Sequence, residues 1–225
     1  MKFIKRILKF FFPRYILVLL KQAYILGIYY GQYNSIKKKM CLDKNNLPIP
    51  WYTYPAIEFL DSHKLDGCKV FEYGLGNSSL YFVRKKCSVK SIEHNKIYYD
   101  IFKNINKNLK IALCKKNNYV NQNILIKNSD IVVIDGEHRP ECTKFVVSKI
   151  LNTNLDPFMI IFDNSDWFPN SILLLDSLSS FIRVDFFGFS PLNSFTSCTS
   201  IYINKTKNLQ RIKLLSKRGT GEIFD

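Results

Sequence analysis

One stretch limits the folds open to this chain more than any other. In Val70-Phe71-Glu72-Tyr73-Gly74-Leu75-Gly76-Asn77-Ser78-Ser79 an apolar run ends in an acid, a glycine turn follows, and a helix start comes next. A second apolar run, Val89-Lys90-Ser91-Ile92-Glu93, closes on another acid twenty-one residues after Glu72. Strand, turn, helix and strand in that order predict the opening β-α-β unit of a doubly wound sheet. Its ligand is expected at the carboxyl ends of the strands. Gly74 and Gly76 allow a sharp turn and close backbone approach, and Asn77 or Ser78 is placed to cap the helix.

The acids narrow the ligand. A dinucleotide seats its pyrophosphate on the helix N-terminus. Here Glu72 stands at the mouth of the turn, where a carboxylate repels a diphosphate and attracts an ammonium or sulfonium. The third small position of the dinucleotide pattern is Ser79, neither Gly nor Ala, and Glu93 falls where an acid accepts hydrogen bonds from ribose hydroxyls. Acid, glycine turn and second acid suit S-adenosyl-L-methionine better than NAD. The competing reading is an α/β turn with no ligand.

Charge is uneven along the chain. Residues 1–40 carry nine Lys or Arg and no acid, out of a net charge of +15, which leaves +6 for the remaining 185 residues. The chain therefore divides into a basic apolar arm (1–46), an α/β domain (47–207) and a basic tail (208–225). The arm's apolar runs are broken by Lys21, Gln22 and Gly27 and are too short to span a bilayer. Its basic and bulky apolar residues suit a segment lying on an anionic membrane surface. A helix packed on the domain or on another subunit fits equally well. No nucleic-acid motif accompanies the charge. The six cysteines form no CxxC and no zinc spacing, and read as reduced thiols in a cytoplasmic protein.

Further along, Leu47-Pro48-Ile49-Pro50 is a rigid linker into Trp51-Tyr52-Thr53-Tyr54-Pro55, whose aromatics form either a wall of the ligand pocket or a packing staple. A helix over 56–63 leaves His63 at the surface. A helix over 95–106, a strand over 109–114 and a loop over 115–123 follow. Strands over 130–134 and 158–162 end in Asp135 and in Asp163-Asn164, each leading into a helix. Strands over 182–189 and 199–204 make a hairpin at the sheet edge.

These elements resemble the class I S-adenosylmethionine-dependent methyltransferases over about residues 47–204. The carriers are the 50–55 and 71–78 stretches, Ser91-Ile92-Glu93-His94, Ile134-Asp135-Gly136-Glu137-His138-Arg139, Asp163-Asn164-Ser165-Asp166-Trp167 and Asp185-Phe186-Phe187-Gly188-Phe189. The resemblance implies an α/β, Rossmann-like, seven-stranded, mostly parallel sheet with a C-terminal antiparallel hairpin and helices on both faces. It also implies a cofactor site of Glu72, Gly74, Gly76, Asn77, Ser78, Glu93 and His94. Asp135, Asp163 and Asn164 resemble the oxygen ligands of metal-dependent O-methyltransferases of the catechol type, which implies Mg²⁺. The alternative is that these three are turn residues capping the next helices. His138 is then the candidate general base. Trp167 falls either in the acceptor pocket or in the core. The usual acidic contact to adenine is missing after the third strand, around Cys114 and Asn117.

The expected function is O-methyl transfer to a small-molecule or membrane-associated acceptor. An RNA methyltransferase, or a non-catalytic adapter of the same fold, is the alternative.

Overall fold

The computed structural model describes residues 12–153 and 155–208, with no side-chain description for Lys116 and Asn117. Residues 1–11 of the arm and 209–225 of the tail lie outside the described residues.

Seven strands form one sheet: β1 (Lys69–Tyr73), β2 (Ser88–Glu93), β3 (Leu109–Leu113), β4 (Ile131–Ile134), β5 (Met159–Asp163), β6 (Phe181–Phe189) and β7 (Thr196–Asn204). Their order is β3-β2-β1-β4-β5-β7-β6. The first five run parallel, and β7 lies antiparallel between β5 and β6. The expected seven-stranded sheet with its C-terminal hairpin is the observed one.

Every residue of β4 and β5 is buried. That is why both strands read as continuous apolar runs rather than alternating ones. Side chains of successive residues go to opposite faces and build two cores. Val70, Val133 and Ile161 join Ile57, Leu60, Tyr81 and Phe82 on one face. Phe71, Val132 and Ile160 join Val146, Val147 and Leu175 on the other.

The helices are α1 (Arg14–Tyr24), α2 (Gln32–Lys38), α3 (Tyr54–Asp61), α4 (Asn77–Arg84), α5 (Lys96–Phe102), α6 (Lys116–Tyr119), α7 (Arg139–Asn152) and α8 (Pro169–Asp176). A π-helical turn over Ile25–Tyr29 continues α1. The single helix expected after β5 is broken: Ser165–Trp167 form a 3₁₀ turn, and Pro169 then opens α8. Proline is favoured in a first helical turn and cannot donate inside one. The four-residue α6 lies in the expected loop. Asn95 caps α5 by accepting from Ile97 N at 2.9 Å and Tyr98 N at 3.3 Å. His63, expected at the surface, is buried, with Nδ1 2.7 Å from the Phe59 carbonyl oxygen and its ring 4.4 Å from that of Phe59.

The arm is not one unit. From Tyr30 onward it belongs to the domain. Tyr30 Oη donates to Glu58 Oε1 at 2.8 Å, and its ring packs 4.7 Å from that of Tyr54. Gln32 Nε2 donates to the carbonyls of Ser190 and Asn193, both at 3.1 Å. Ser35, Cys41 and Leu42 are buried. By contrast α1 has no buried residue. A border at residue 46 therefore cuts through packed structure, and the physical change comes between α1 and Tyr30. Among the described residues no helix is long and apolar enough to cross a membrane.

Candidate functional site

The strand order reverses between β1 and β4, and a cavity of about 940 Å³ opens beyond the carboxyl ends of β1, β2, β4 and β5. This is where a doubly wound sheet leaves room for a ligand, because connections depart to opposite faces there. Gly74, Gly76, Asn77, Ser78, Glu93, His94, Asp135, Asp163 and Asn164 all line it. Glu72 and His138 do not line it.

The glycine turn is shaped by contact. Gly74 has φ +101°, and a Cβ there would lie 3.0 Å from Gly136 Cα and 3.1 Å from Gly136 N. The turns after β1 and β4 can meet only because that position has no side chain. A Cβ on Gly76 would meet nothing within 4 Å, so this backbone faces open cavity. Neither Asn77 nor Ser78 caps α4, contrary to expectation. Gly76 is the N-cap, and its N–H donates to Ser79 Oγ at 3.3 Å. Asn77 Nδ2 instead donates to the Cys41 carbonyl at 2.7 Å and ties the loop to the arm.

Glu72 does not stand at the mouth of the turn. It is buried beneath it, 1% exposed. Its carboxylate accepts from the hydroxyls of Ser78, Ser79 and Ser91, the last at 3.0 Å. Burial pushes it from an ordinary value near 4.5 up to about 7, against the three hydroxyl donors. Its partners Ser79 and Ser91 sit on α4 and β2, so Glu72 joins three elements under the loop and does not face a ligand.

Glu93 both lines the cavity and anchors backbone. Oε1 accepts from His94 N at 2.9 Å and Asn95 N at 2.7 Å, and Oε2 accepts from Leu75 N at 3.3 Å. A carboxylate has about four lone-pair sites, so capacity for a hydroxyl remains. His94 is half-exposed, with Nδ1 3.2 Å from Glu93 Oε1 and its ring 5.9 Å from that of Tyr119. Tyr119, buried and lining the cavity, packs its other side against His138 at 6.3 Å between ring centroids. His138 has φ +54° and N-caps α7 through its backbone. It packs behind the cavity lining and does not itself line the cavity. At the end of β3, Cys114 Sγ accepts from Gln122 Nε2 at 3.4 Å and lies outside the cavity wall.

Asp135, Asp163 and Asn164 do come together, but around a guanidinium. Arg139 Nη2 donates to Asp135 Oδ1 at 2.8 Å and to the Asp135 carbonyl at 3.2 Å. Nη1 donates to Asn164 Oδ1 at 2.9 Å and to the Asp163 carbonyl, and Nε to the Gly136 carbonyl at 3.2 Å. All five N–H donors of the fork are used. Asp163 Oδ1 accepts from Thr199 Oγ1 at 2.6 Å. Mg²⁺ needs several of these oxygens turned to one open point. Two of them are instead given to a fixed positive charge and the third to a hydroxyl, so the donor set does not fit Mg²⁺. Among the described residues no group of three or more His, Cys, Asp or Glu is placed to hold a metal ion.

Burial raises both acids. Asp135 is pushed up to about 6, with Arg139 opposing the shift. Asp163 is held well above the carboxylate range, first by burial and then by the charge of Asp135. The sequence patterns give Arg139 no role. The signal was its position four residues after Asp135, on the first turn of a helix started by Pro140. Trp51 lines the cavity, as the pocket-wall alternative for the 51–55 aromatics expects, and Asn193 and Phe195 also line it and were not identified with the site.

No protein-family model and no curated protein matches the sequence. Solved structures do match in fold. A proposed O-methyltransferase from Klebsiella pneumoniae aligns over 90% of this chain and 96% of its own, with a TM-score of 0.51 at 9% identity. The 1,6-didemethyltoxoflavin-N1-methyltransferase of Burkholderia thailandensis, solved with S-adenosylhomocysteine, covers 86% and 90%, with a TM-score of 0.49 at 11% identity. An O-methyltransferase of tomaymycin synthesis from Streptomyces achromogenes covers 80% and 88%, with a TM-score of 0.49 at 10% identity. The chain has the fold of the class I S-adenosylmethionine-dependent methyltransferases.

Glu72 yields a prediction. A carboxyl whose folded pKa lies above its unfolded one favours folding fully below the unfolded value and loses that contribution as pH rises through the folded one. The window here runs from near 4.5 to about 7. Glu72→Gln removes the titration, so melting of the variant should change less with pH than that of the wild type. The variant should be the more stable protein at about pH 8, by on the order of 3 kcal/mol. Parallel melting curves across that window would refute the assignment.

Proposed function

We propose that the chain is an S-adenosylmethionine-dependent methyltransferase that moves a methyl group to a hydroxyl of a small-molecule acceptor. The observation that supports this best is a single cavity holding an open glycine turn, the Glu93 carboxylate and the Asp135 carboxylate. Its acids suit a ligand bearing an ammonium and a sulfonium. A diphosphate fits poorly, since the nearest guanidinium, Arg139, has every N–H already engaged. When bound, S-adenosylmethionine supplies an electrophilic methyl group. The chain's own residues hold and orient the reactants. The Gly74–Gly76 backbone allows close approach, Glu93 accepts from ribose hydroxyls, and His94 packs beside them. Positioning accounts for much of the catalysis of an in-line displacement. Asp135 takes the acceptor's proton on its Oδ2 oxygen, while Arg139 holds Oδ1 and stabilises the charged form.

Calorimetry tests the cofactor. S-adenosylhomocysteine should bind and NAD should not, and Glu93→Ala should weaken binding by about 1.5–3 kcal/mol through a lost charge-assisted hydrogen bond. Unchanged affinity removes Glu93 from the site. The base is tested by pH. Asp135 must be ionised to accept a proton, so turnover should rise as pH climbs through about 6 and level off above it. Asp135→Asn should lower turnover roughly 10²–10⁴-fold, and a chelator should leave the wild type unaffected. Loss of activity on chelation would restore a metal mechanism.

A second reading concerns α1. It has no buried residue and exposes Tyr15, Val18, Leu19, Leu20 and Tyr24 beside Arg14 and Lys21, within forty residues that carry no acid. That combination favours attachment to an anionic membrane surface, peripheral to the bilayer. The full chain should sediment with phosphatidylserine vesicles, less so as salt rises and hardly at all with phosphatidylcholine alone. Leu19→Glu with Lys21→Glu should release it. Equal sedimentation of variant and wild type, or dimerisation lost in the variant, would replace the membrane with another explanation.

A further inference from the structure

The methyl-transfer reading leaves one wall of the cavity without a role. Met40, Trp51, Trp167, Leu192 and Phe195 line it, and they come from four separate segments. Met40 follows α2, Trp51 follows the proline linker, Trp167 ends the 3₁₀ turn after β5, and Leu192 and Phe195 lie in the β6–β7 loop. Met40, Trp51, Trp167 and Phe195 are each between 43% and 56% exposed. Large apolar side chains that converge on one cavity from four segments and still meet water mark a surface built to be covered.

The wall is also held in place. Trp51 Nε1 donates to Asn193 Oδ1 at 3.0 Å. The carbonyls of Ser190 and Asn193 are gripped by Gln32. The turn bearing Trp167 is pinned to β7, because Cys198 N donates to Asp166 Oδ1 at 3.1 Å. The rings of Trp167 and Phe195 lie 6.3 Å apart between centroids, tilted by 32°. Trp167 sits three residues beyond Asn164, so this wall adjoins the Asp135–Arg139–Asn164 cluster.

We propose that this wall is the acceptor subsite and that the acceptor is a flat aromatic ring system carrying a hydroxyl. This deepens the methyl-transfer reading and rests on it. Rings offer a planar guest stacking beyond simple burial. A rigid guest loses little conformational freedom on seating, whereas an acyl chain must freeze many rotors against the same pre-set wall. A ring hydroxyl at the inner edge then meets Asp135, which takes its proton.

The only two tryptophans of the chain, Trp51 and Trp167, both lie in this wall, so intrinsic fluorescence reports its occupancy directly. The probe is 7-hydroxycoumarin, a flat hydroxylated bicycle whose absorption overlaps tryptophan emission. Titrated into the full chain, it should quench tryptophan emission saturably, with a dissociation constant below about 1 mM. Trp167→Ala and Phe195→Ala, each at a half-exposed position, should each weaken it roughly tenfold or more. S-adenosylhomocysteine affinity, measured by calorimetry on the same variants, should stay within about twofold of wild type. Absence of saturable quenching overturns the proposal, as does coumarin affinity unchanged in both variants. Stronger binding of 1-decanol, displacing the coumarin, overturns it in favour of an aliphatic acceptor. Coumarin binding in a protein that fails to bind S-adenosylhomocysteine would keep the aromatic subsite and overturn the methyl-transfer reading, and with it the acceptor role.

Discussion

The geometry of the site depends on one partly buried guanidinium. β4 and β5 are adjacent parallel strands, and each ends in an aspartate at the same end of the sheet. Two carboxylates brought together out of water repel one another and lose hydration. Arg139 lies between the two strand ends with all five donors engaged on Asp135, Gly136, Asp163 and Asn164. It offsets the charge, satisfies three carbonyls that the strands leave open, and fixes the spacing of the two turns. A lysine has no planar fork and cannot make the same set of bonds.

The same acid type takes different roles according to its surroundings. Glu72 sits under the glycine turn among three serine hydroxyls and is shut away from the cavity. Glu93, one strand over, binds three backbone amides and still faces the cavity. Asp135 keeps an ion pair with Arg139, whereas Asp163 has a hydroxyl partner, and burial raises both. Desolvation pushes Glu72, Asp135 and Asp163 upward, and the donors within reach oppose it. The rim is set from outside this cluster, by the arm: Gln32 fixes the β6–β7 loop and Cys41 receives Asn77.

Much of the architecture was legible because it rests on local patterns. Unbroken apolar runs in β4 and β5 announce strands buried on both faces. The acid-glycine-acid spacing places the first crossover, and the last two strands read as an edge hairpin. The same patterns placed the glycine turn, Glu93, His94 and the three strand-end polar residues around one cavity. They misplaced Glu72, because its position in the chain does not record which way its side chain turns. They gave no warning that Arg139 would enter the space assigned to a metal, since ligand spacing is silent about a competing cation.

What the sequence determined by itself was the order of strands and helices and the end of the sheet at which the cavity opens. Both follow from periodicity and from glycine and proline positions, which act over a few residues. Only the tertiary structure decided which acids face the cavity, that His138 packs against Tyr119, and that tryptophans from positions 51 and 167 line the same cavity. Those outcomes depend on contacts between segments far apart in the chain, where burial and competition for hydrogen-bond partners select one arrangement among many that local pattern allows.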